Sequence, residues 1–248
     1  MDKAYWNKIG SGYNEEIFDA YNEDRTGKLK RALKKYASPK HFAIDFGCGT
    51  GKALPYLAPA FGHVLGIDIS SELLRQAKLL AFPNVTLKKL DLARAVKLPK
   101  ADFAFCCNVA ILPDIKKNKG IIKNVQRSLK KNGAAVFVIP SAESALFSGW
   151  RLVDQYEKEG TSFNRIPKSD LGYFDVNKQE LLQGLFKISG VATKHYLHSE
   201  IQILFKEAGL TIKKIDKLEY NWTSEFSSPP KWMRNPYPWD WIVECEKL

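Results

Sequence analysis

Short apolar runs recur along the first 140 residues, and segments with helical spacing of apolar positions separate them. Runs of this length, bounded by glycine, proline or acidic residues, are typical of buried parallel strands. Five strands are predicted on this basis, at 41–46, 63–68, 85–90, 101–108 and 134–139. Because strands that alternate with helices form a parallel sheet with right-handed crossovers, the pattern predicts an α/β domain.

The segments between these runs predict the helices of the domain. Serine or threonine at a helix start and glycine after its end are common boundary signals. On this basis helices are predicted at 26–36, 52–58, 71–80 and 116–130, and Asn132-Gly133 closes the last of them.

The alternation breaks after Pro140. A helix around 146–157 and an irregular aromatic stretch precede a helix at 199–208 and two further strands, 210–220 and 239–245. We interpret Trp239-Asp240-Trp241 as part of a strand packed at the edge of the sheet rather than as a site. The whole chain, 1–248, is interpreted as one domain. Its parts are N-terminal cap helices (1–40), a nucleotide-binding core (41–140), an inserted cap (141–195) and a C-terminal helix with a strand hairpin (196–248).

Composition narrows the class of protein. A hydrophobic content of 45% supports a full core. The net charge of +11 comes from scattered lysine pairs, which are typical of a solvated surface and leave an RNA partner as the weaker alternative. The four cysteines lack metal-ligand spacing, no apolar run is long enough for a membrane span, and Met1–Trp6 lacks a secretory core. We therefore expect a cytoplasmic protein with no bound metal and no membrane partner.

The first predicted strand ends at Asp45, and glycines follow at 47, 49 and 51. Glycines at such a turn let the backbone approach a ligand, and the helix that follows offers free N–H groups. The spacing matches neither the G-x-G-x-x-G of dinucleotide-binding proteins nor the G-x-x-x-x-G-K-[ST] of phosphate-binding loops. Three other predicted strands also end in polar residues: Asp68, Asp91 and Asn108. Ligands of parallel sheets bind at these carboxyl ends, so a ligand site is predicted there.

The run D-x-G-x-G-x-G at 45–51 resembles the first motif of the class I S-adenosylmethionine (SAM) dependent methyltransferases. The resemblance covers 41–140 well and 195–246 in topology only. It implies a Rossmann-like, doubly wound sheet of seven strands, mostly parallel with a C-terminal antiparallel hairpin, with helices on both faces.

The same resemblance implies SAM as the cofactor, S-adenosylhomocysteine (SAH) as its product, and a set of binding positions. The glycine turn and Asp45 would hold the methionine part of SAM, Asp68 the ribose and Asp91 the adenine. The implied cofactor-binding residues are Tyr13, Asp45, Gly47, Cys48, Gly49, Gly51, Asp68, Ile69, Asp91, Leu92, Cys107 and Asn108.

The sequence says less about the molecule that accepts the methyl group. The run 107–112 lacks the Pro-Pro-Tyr turn of methyltransferases that act on exocyclic amines. We expect a small-molecule acceptor of aromatic or apolar character, held under a cap that includes Trp6, Trp150 and Tyr173. His195 is the candidate general base, with Tyr196 beside it as a second candidate. An RNA methyltransferase and a non-catalytic SAM-binding protein are the alternatives, and the oligomeric state is left open.

Overall fold

The computed structural model describes Trp6 and residues 20–248. In this part of the chain nine strands follow one another: β1 (Ser38–Phe46), β2 (Phe61–Asp68), β3 (Val85–Lys89), β4 (Ala101–Cys107), β5 (Leu129–Pro140), β6 (Leu185–Ile188), β7 (Val191–Lys194), β8 (Thr211–Glu219) and β9 (Trp239–Glu246). Seven of them form one sheet in the order β3-β2-β1-β4-β5-β9-β8.

The first five strands, β1 to β5, are parallel to one another in the sheet. Strand β9 pairs antiparallel with both β5 and β8. Ile44 at the centre lies opposite Leu65 of β2 and Ala104 of β4. Strand order reverses between β1 and β4, and such reversals create a ligand crevice at the carboxyl edge. The predicted seven-stranded, mostly parallel sheet with a C-terminal antiparallel pair is confirmed.

Eight α-helices lie in the described residues: α1 (Ala20–Glu23), α2 (Lys28–Lys35), α3 (Leu54–Leu57), α4 (Ser71–Lys78), α5 (Ile115–Ser128), α6 (Ala142–Lys158), α7 (Lys178–Leu182) and α8 (His198–Glu207). Ser70, Asp114 and Ser141 each accept a hydrogen bond from a backbone N–H in the first turn that follows. These side chains satisfy N–H groups that a helix start leaves without partners, so the helix boundaries are set locally.

The core lies on both faces of the sheet. On one face, apolar side chains of α5 and α8, such as Ile122 and Phe205, pack against alternate residues of the central strands. On the other face, Leu33 of α2 and Leu57 of α3 pack against Phe103 and its neighbours. Alternate strand residues point to opposite faces, so the continuous apolar runs supply both halves of the core.

The insertion after β5 contains a feature that the sequence did not predict. Residues 185–194, predicted as irregular, form a hairpin in which β6 pairs antiparallel with β7. Ser189 and Gly190 form its two-residue turn with φ of 49° and 77°, the left-handed conformation that such turns need. Each strand has only four residues, too few for alternation to be recognised.

Several predicted boundaries or positions were wrong, and the main differences are these. Strand β1 begins at Ser38, which pairs with Phe61 beyond an irregularity in the register. Helix α5 ends at Ser128, because Leu129 already pairs with Ala101 of β4. Helix α6 begins at Ala142. Strand β9 lies inside the sheet rather than at its edge, since β5 and β8 flank it.

The residues after β7 are hydrogen-bonded to the end of β5. The Tyr196 N–H donates to the Pro140 carbonyl at 2.8 Å, and the Ala142 N–H donates to the Tyr196 carbonyl at 3.0 Å. The buried Lys194 ammonium contacts Glu200 of α8 at 2.7 Å. These contacts hold the cap hairpin against the carboxyl edge of the sheet, where ligands of this architecture bind.

Replacement of Phe103 tests the core. Its ring is fully buried and stacks against Phe61 at 5.0 Å and Tyr36 at 5.5 Å. We expect Phe103→Ala to lower the free energy of unfolding by about 3–5 kcal/mol, because it removes buried surface and leaves a cavity. Leu79→Ala, at a side chain that is 74% exposed, should change it by less than about 0.5 kcal/mol. Urea denaturation measures both, and a loss below about 1 kcal/mol for Phe103→Ala would contradict this description of the core.

Candidate functional site

A cavity of about 1630 Å³ lies at the carboxyl edge of the sheet. One part of its lining comes from the residues that end or follow β1, β2, β3 and β4. The other part comes from the cap and from the C-terminal strands, including Tyr173, His195 and Asp240. Trp6, from the otherwise undescribed N-terminal segment, also lines it. The cavity therefore joins the predicted cofactor residues to the predicted cap.

Asp45 is the most unusual residue of this lining. Its side chain is only 2% exposed, and its Oδ2 atom has no hydrogen-bond partner in the described structure. Burial, with the charge of Asp68 added, raises the pKa of the Asp45 carboxyl to about 8. A buried polar atom without a partner is costly, so it indicates a group that a ligand satisfies.

The glycines that follow have different local roles. Gly47, Gly49 and Gly51 have φ of 68°, 53° and 85°, which side chains rarely adopt. A Cβ atom on Gly47 would lie 2.2 Å from Val109 Cγ2, and Gly47 and Cys48 line the cavity. Gly51 instead packs against the helices beneath, since a Cβ atom there would lie 2.8 Å from a methyl group of Leu80.

Asp68 connects the glycine turn to the second strand. Its Oδ2 accepts a hydrogen bond from the Gly49 N–H at 2.9 Å, and its Oδ1 accepts one from the Ser70 N–H at 2.8 Å. Burial raises the pKa of Asp68, although these backbone bonds oppose the shift. Each oxygen still has a lone pair that could accept from a ligand hydroxyl. Gly49 therefore contributes through Asp68 rather than by lining the cavity.

The third strand brings a second acid to the cavity. Asp91 accepts from the Ala93 N–H at 3.0 Å and forms an ion pair with Arg94 at 3.2 Å, and its side chain is 37% exposed. Leu92 is buried beside it, and both residues line the cavity together with Ile69. The predicted grouping of the strand-end acids around one cavity is thus present.

The end of β4 closes this part of the lining. Adjacent cysteines point to opposite faces, so Cys106 is buried in the core while Cys107 lines the cavity. Asn108 follows with φ of 54°, an uncommon value for a residue with a side chain. Its Oδ1 is buried without a partner in the described structure, as Asp45 Oδ2 is.

His195 lies at the cap end of the cavity with both ring nitrogens engaged. Nδ1 is 3.0 Å from the Thr193 carbonyl, which can only accept, so Nδ1 carries the proton. Nε2 therefore accepts from the Tyr173 hydroxyl at 2.5 Å. Burial lowers the pKa of His195 to about 4 and raises the pKa of Tyr173 well above its ordinary value. Any proton that His195 exchanges with a ligand must pass through Tyr173.

Other predicted residues lie elsewhere. Tyr196 is fully buried in the core, where its hydroxyl donates to the Ala110 carbonyl at 2.5 Å, and it does not line the cavity. Trp150 is 57% exposed and stacks on Phe147 outside the cavity. Tyr13 lies outside the described residues.

The residues that line the cavity from the C-terminal strands were not predicted from the sequence. Asp240 lines it from β9, and the Tyr220 hydroxyl donates to Asp240 Oδ2 at 2.9 Å. Burial, with the charge of Glu225 added, raises the pKa of Asp240 to about 7. Glu225 also lines the cavity. The one available signal was an acid between two tryptophans at the start of a predicted strand, Trp239-Asp240-Trp241.

In the described part of the chain, no grouping of three or more His, Cys, Asp or Glu side chains is arranged to hold a metal ion. None of the helices in these residues combines the length and apolar character that a membrane span needs.

Comparison with known proteins adds to this geometry. Residues 43–133 match the model of a methyltransferase domain family. An uncharacterised protein of Methanocaldococcus jannaschii is 27% identical over 139 residues, which are 55% of this chain and 51% of that protein. The chain thus aligns with about half the length of this curated relative.

Solved structures share the fold over most of their length. A SAM-dependent methyltransferase from Methanosarcina mazei superposes with a TM-score of 0.62 at 19% identity, over 87% of this chain and 96% of that one. Magnesium protoporphyrin IX methyltransferase from Synechocystis PCC 6803, with bound SAH, superposes with a TM-score of 0.60 at 15% identity, over 99% and 98%. The central part of the chain thus matches a methyltransferase domain family, and the chain shares the fold of SAM-dependent methyltransferases.

Proposed function

We propose that the protein binds SAM at the carboxyl edge of the sheet and transfers its methyl group to a small-molecule acceptor in the same cavity. The observation that carries this proposal is the buried Asp45 carboxyl, whose Oδ2 atom has no partner in the described structure. A carboxylate in that position suits the ammonium group of an amino-acid ligand, since an opposite charge and a hydrogen bond favour its ionised form.

The other lining residues fit the rest of SAM. Gly47 would offer bare backbone to the methionine part, beside the unpartnered Asn108 Oδ1. Asp68 would accept from the ribose hydroxyls, and Asp91 with the Leu92 backbone would face the adenine. When bound, SAM supplies an electrophilic methyl group, and the protein supplies alignment of the reacting atoms.

The cap end of the cavity would hold the acceptor. Tyr173, Trp6 and Trp239 give this end aromatic surface, and small-molecule sites are commonly of this kind. A small-molecule acceptor also agrees with the structural likeness to magnesium protoporphyrin IX methyltransferase. In this proposal Tyr173 is the group that touches the acceptor, and His195 positions the Tyr173 hydroxyl. Tyr196 has no part in it, because its hydroxyl is bound in the core.

Calorimetry with SAM, SAH and NAD tests the proposal. SAM and SAH should bind and NAD should not. Asp68→Ala should weaken SAM binding by about 1.5–3 kcal/mol, the range for hydrogen bonds to charged groups. Equal affinity of the variant and the native protein would remove Asp68 from the site.

Asp102→Ala is the matched control for Asp68→Ala. Asp102 also accepts a backbone hydrogen bond, from the Phe42 N–H at 2.9 Å, but it does not line the cavity. Its loss should leave SAM affinity unchanged, which separates a general effect on the sheet from loss of a ligand contact. Binding of NAD without binding of SAM would reject the cofactor assignment.

Asp45→Asn should improve stability while it impairs SAM binding. The pKa of Asp45 is about 8 in the folded state and about 3.9 in the unfolded state. Between these pH values the folded state holds more protons, so the free energy of unfolding of the native protein falls as pH rises. Asp45→Asn lacks the titrating carboxyl, so its free energy of unfolding does not fall in this way. The stability difference in favour of Asp45→Asn should therefore grow between about pH 5 and pH 8, by at most about 1.4 kcal/mol per pH unit.

Urea denaturation of the ligand-free proteins at several pH values measures this difference, and calorimetry measures SAM affinity. A stability difference between Asp45→Asn and the native protein that does not change with pH would show that the folded-state pKa of Asp45 is not raised. Undiminished SAM affinity in the variant would show that the unpartnered oxygen does not serve the cofactor.

The His195 ring should stay neutral across the physiological range. With its pKa lowered to about 4 by burial, nitrogen NMR should show one protonated ring nitrogen, Nδ1, from about pH 5.5 to pH 8. Tyr173→Phe removes the donor to Nε2 and should shift the Nε2 resonance without a change at Nδ1. A His195 signal that titrates near pH 6.5, the usual value, would contradict the described environment.

A further inference from the structure

We propose that the acceptor is an amine, bound as a cation by Asp240 and Glu225 at the cap end of the cavity. We further propose that Asp240 takes the proton that the nitrogen must lose before it is methylated. This inference rests on the proposed function, since it names the substrate class of the same cavity.

The first observation is the position of Asp240. It lies at the start of β9, opposite Pro140 of β5, so it projects at the carboxyl edge where the cofactor residues end. The Tyr220 hydroxyl donates to one of its oxygens at 2.9 Å. The second oxygen of this carboxylate can accept from a ligand.

A second acid, Glu225, lines the same cavity as Asp240. Glu225 follows the 3₁₀ helix Trp222–Ser224, and the Ser224 hydroxyl is 3.4 Å from Glu225 Oε1. In the part of the chain that the structure describes, neither Asp240 nor Glu225 forms an ion pair with lysine, arginine or histidine. Two unneutralised acids in one cavity provide a strongly favourable site for a cation.

One ammonium group lies near this pair: Lys217 Nζ is 3.6 Å from the centroid of the Trp239 ring, and in the described structure it forms no ion pair with either acid. Tyr173 lies within electrostatic range of both acids, and burial keeps its hydroxyl protonated. His195 is neutral because burial lowers its pKa to about 4. Lys187, from the hairpin, is paired with Asp175 at 3.0 Å. Arg94 is paired with Asp91 in the cofactor part of the cavity.

A third observation points to a ligand independently of the acids. The Trp239 indole is 8% exposed and lines the cavity beside Asp240, and its Nε1 atom has no partner in the described structure. An indole N–H is only a donor, so it needs an acceptor. A ligand with an acceptor atom near its amine would satisfy it, while one face of the indole already carries the Lys217 ammonium at 3.6 Å.

The electrostatics of the pair suit both binding and proton removal. Burial and the neighbouring charge of Glu225 raise the pKa of Asp240 to about 7. Glu225 is exposed and lines the same cavity, where desolvation raises its pKa as well. A base whose pKa lies near the working pH combines a populated basic form with adequate strength.

The proposed transfer uses only the amine acceptor, SAM and the Asp240 carboxylate. The ammonium of the acceptor gives one proton to the ionised Asp240 carboxylate, which leaves a nitrogen lone pair. That lone pair forms the N–C bond to the methyl group as the C–S bond breaks, and the electrons of that bond go to sulfur. The methylated nitrogen carries the positive charge, and Asp240 returns its proton to solvent. A carboxylate acceptor would instead be repelled by both acids.

Matched bisubstrate analogues test this without knowledge of the natural acceptor. The probes are adenosine derivatives in which a tertiary amine replaces the sulfonium and bears either an aminoalkyl or a hydroxyalkyl arm of the same length. A series of arm lengths covers the distance to the acidic pair. Calorimetry measures the affinity of the aminoalkyl and hydroxyalkyl probes for the native protein, for Asp240→Asn and for Glu225→Gln.

Glu244→Gln is the control variant. Glu244 lies on the same strand as Asp240, is bound to Lys35 and Tyr36, and does not line the cavity. For the native protein and this control, at least one aminoalkyl probe should bind 10-fold or more tightly than its hydroxyalkyl match, as expected for a charged contact. In Asp240→Asn and in Glu225→Gln this preference should fall, while SAH affinity stays the same.

Equal binding of the two arms at every length, with SAH bound normally, would overturn the amine assignment and leave the proposed function intact. A native preference that persists in both variants would also overturn it, since the cation would then be recognised elsewhere. Failure of the native protein to bind SAH would instead reject the proposed function. If Asp240→Asn does not fold, Glu225→Gln alone decides the outcome.

Discussion

Parallel pairing of β1 with β2 and β4 is the constraint on which the rest of the structure depends. It places Ile44 beside Leu65 and Ala104, and it therefore brings the ends of all three strands to the same edge. Asp45, Asp68 and Asn108 meet there because they follow apolar runs of matching register. The hydrophobic effect holds the strands, and the polar ends are buried as a consequence.

Burial of these polar ends is unfavourable in the ligand-free protein. The Asp45 carboxyl has an unpartnered oxygen and a pKa raised to about 8, and Asn108 Oδ1 is also unpartnered in the described structure. Neither atom contributes to the fold as it stands. Unsatisfied buried groups are rare because they reduce stability, and they persist where a ligand supplies the missing partner.

The cap completes the lining of the same cavity. Hydrogen bonds from Tyr196 and Ala142 hold the segment after β7 to the end of β5, and His195 is thereby fixed behind Tyr173. Strand β9 runs antiparallel to β5, so its first residues rather than its last reach the carboxyl edge. Asp240 enters the cavity for this reason, and it lines the same cavity as Asp45, Asp68 and Asp91.

The sequence by itself determined the strands of the main sheet, their succession along the chain and the polar residues at the strand ends, because these follow from local periodicity and turn chemistry. The seven-stranded sheet with its C-terminal antiparallel hairpin was implied by the resemblance to the methyltransferases. Only the tertiary structure decided which side chains share the cavity. Tyr196 and His195 are adjacent in sequence, yet one hydroxyl is bound in the core and the other ring lines the cavity. The contribution of Asp240 depends on β9 lying between β5 and β8, a long-range pairing that no local pattern encodes.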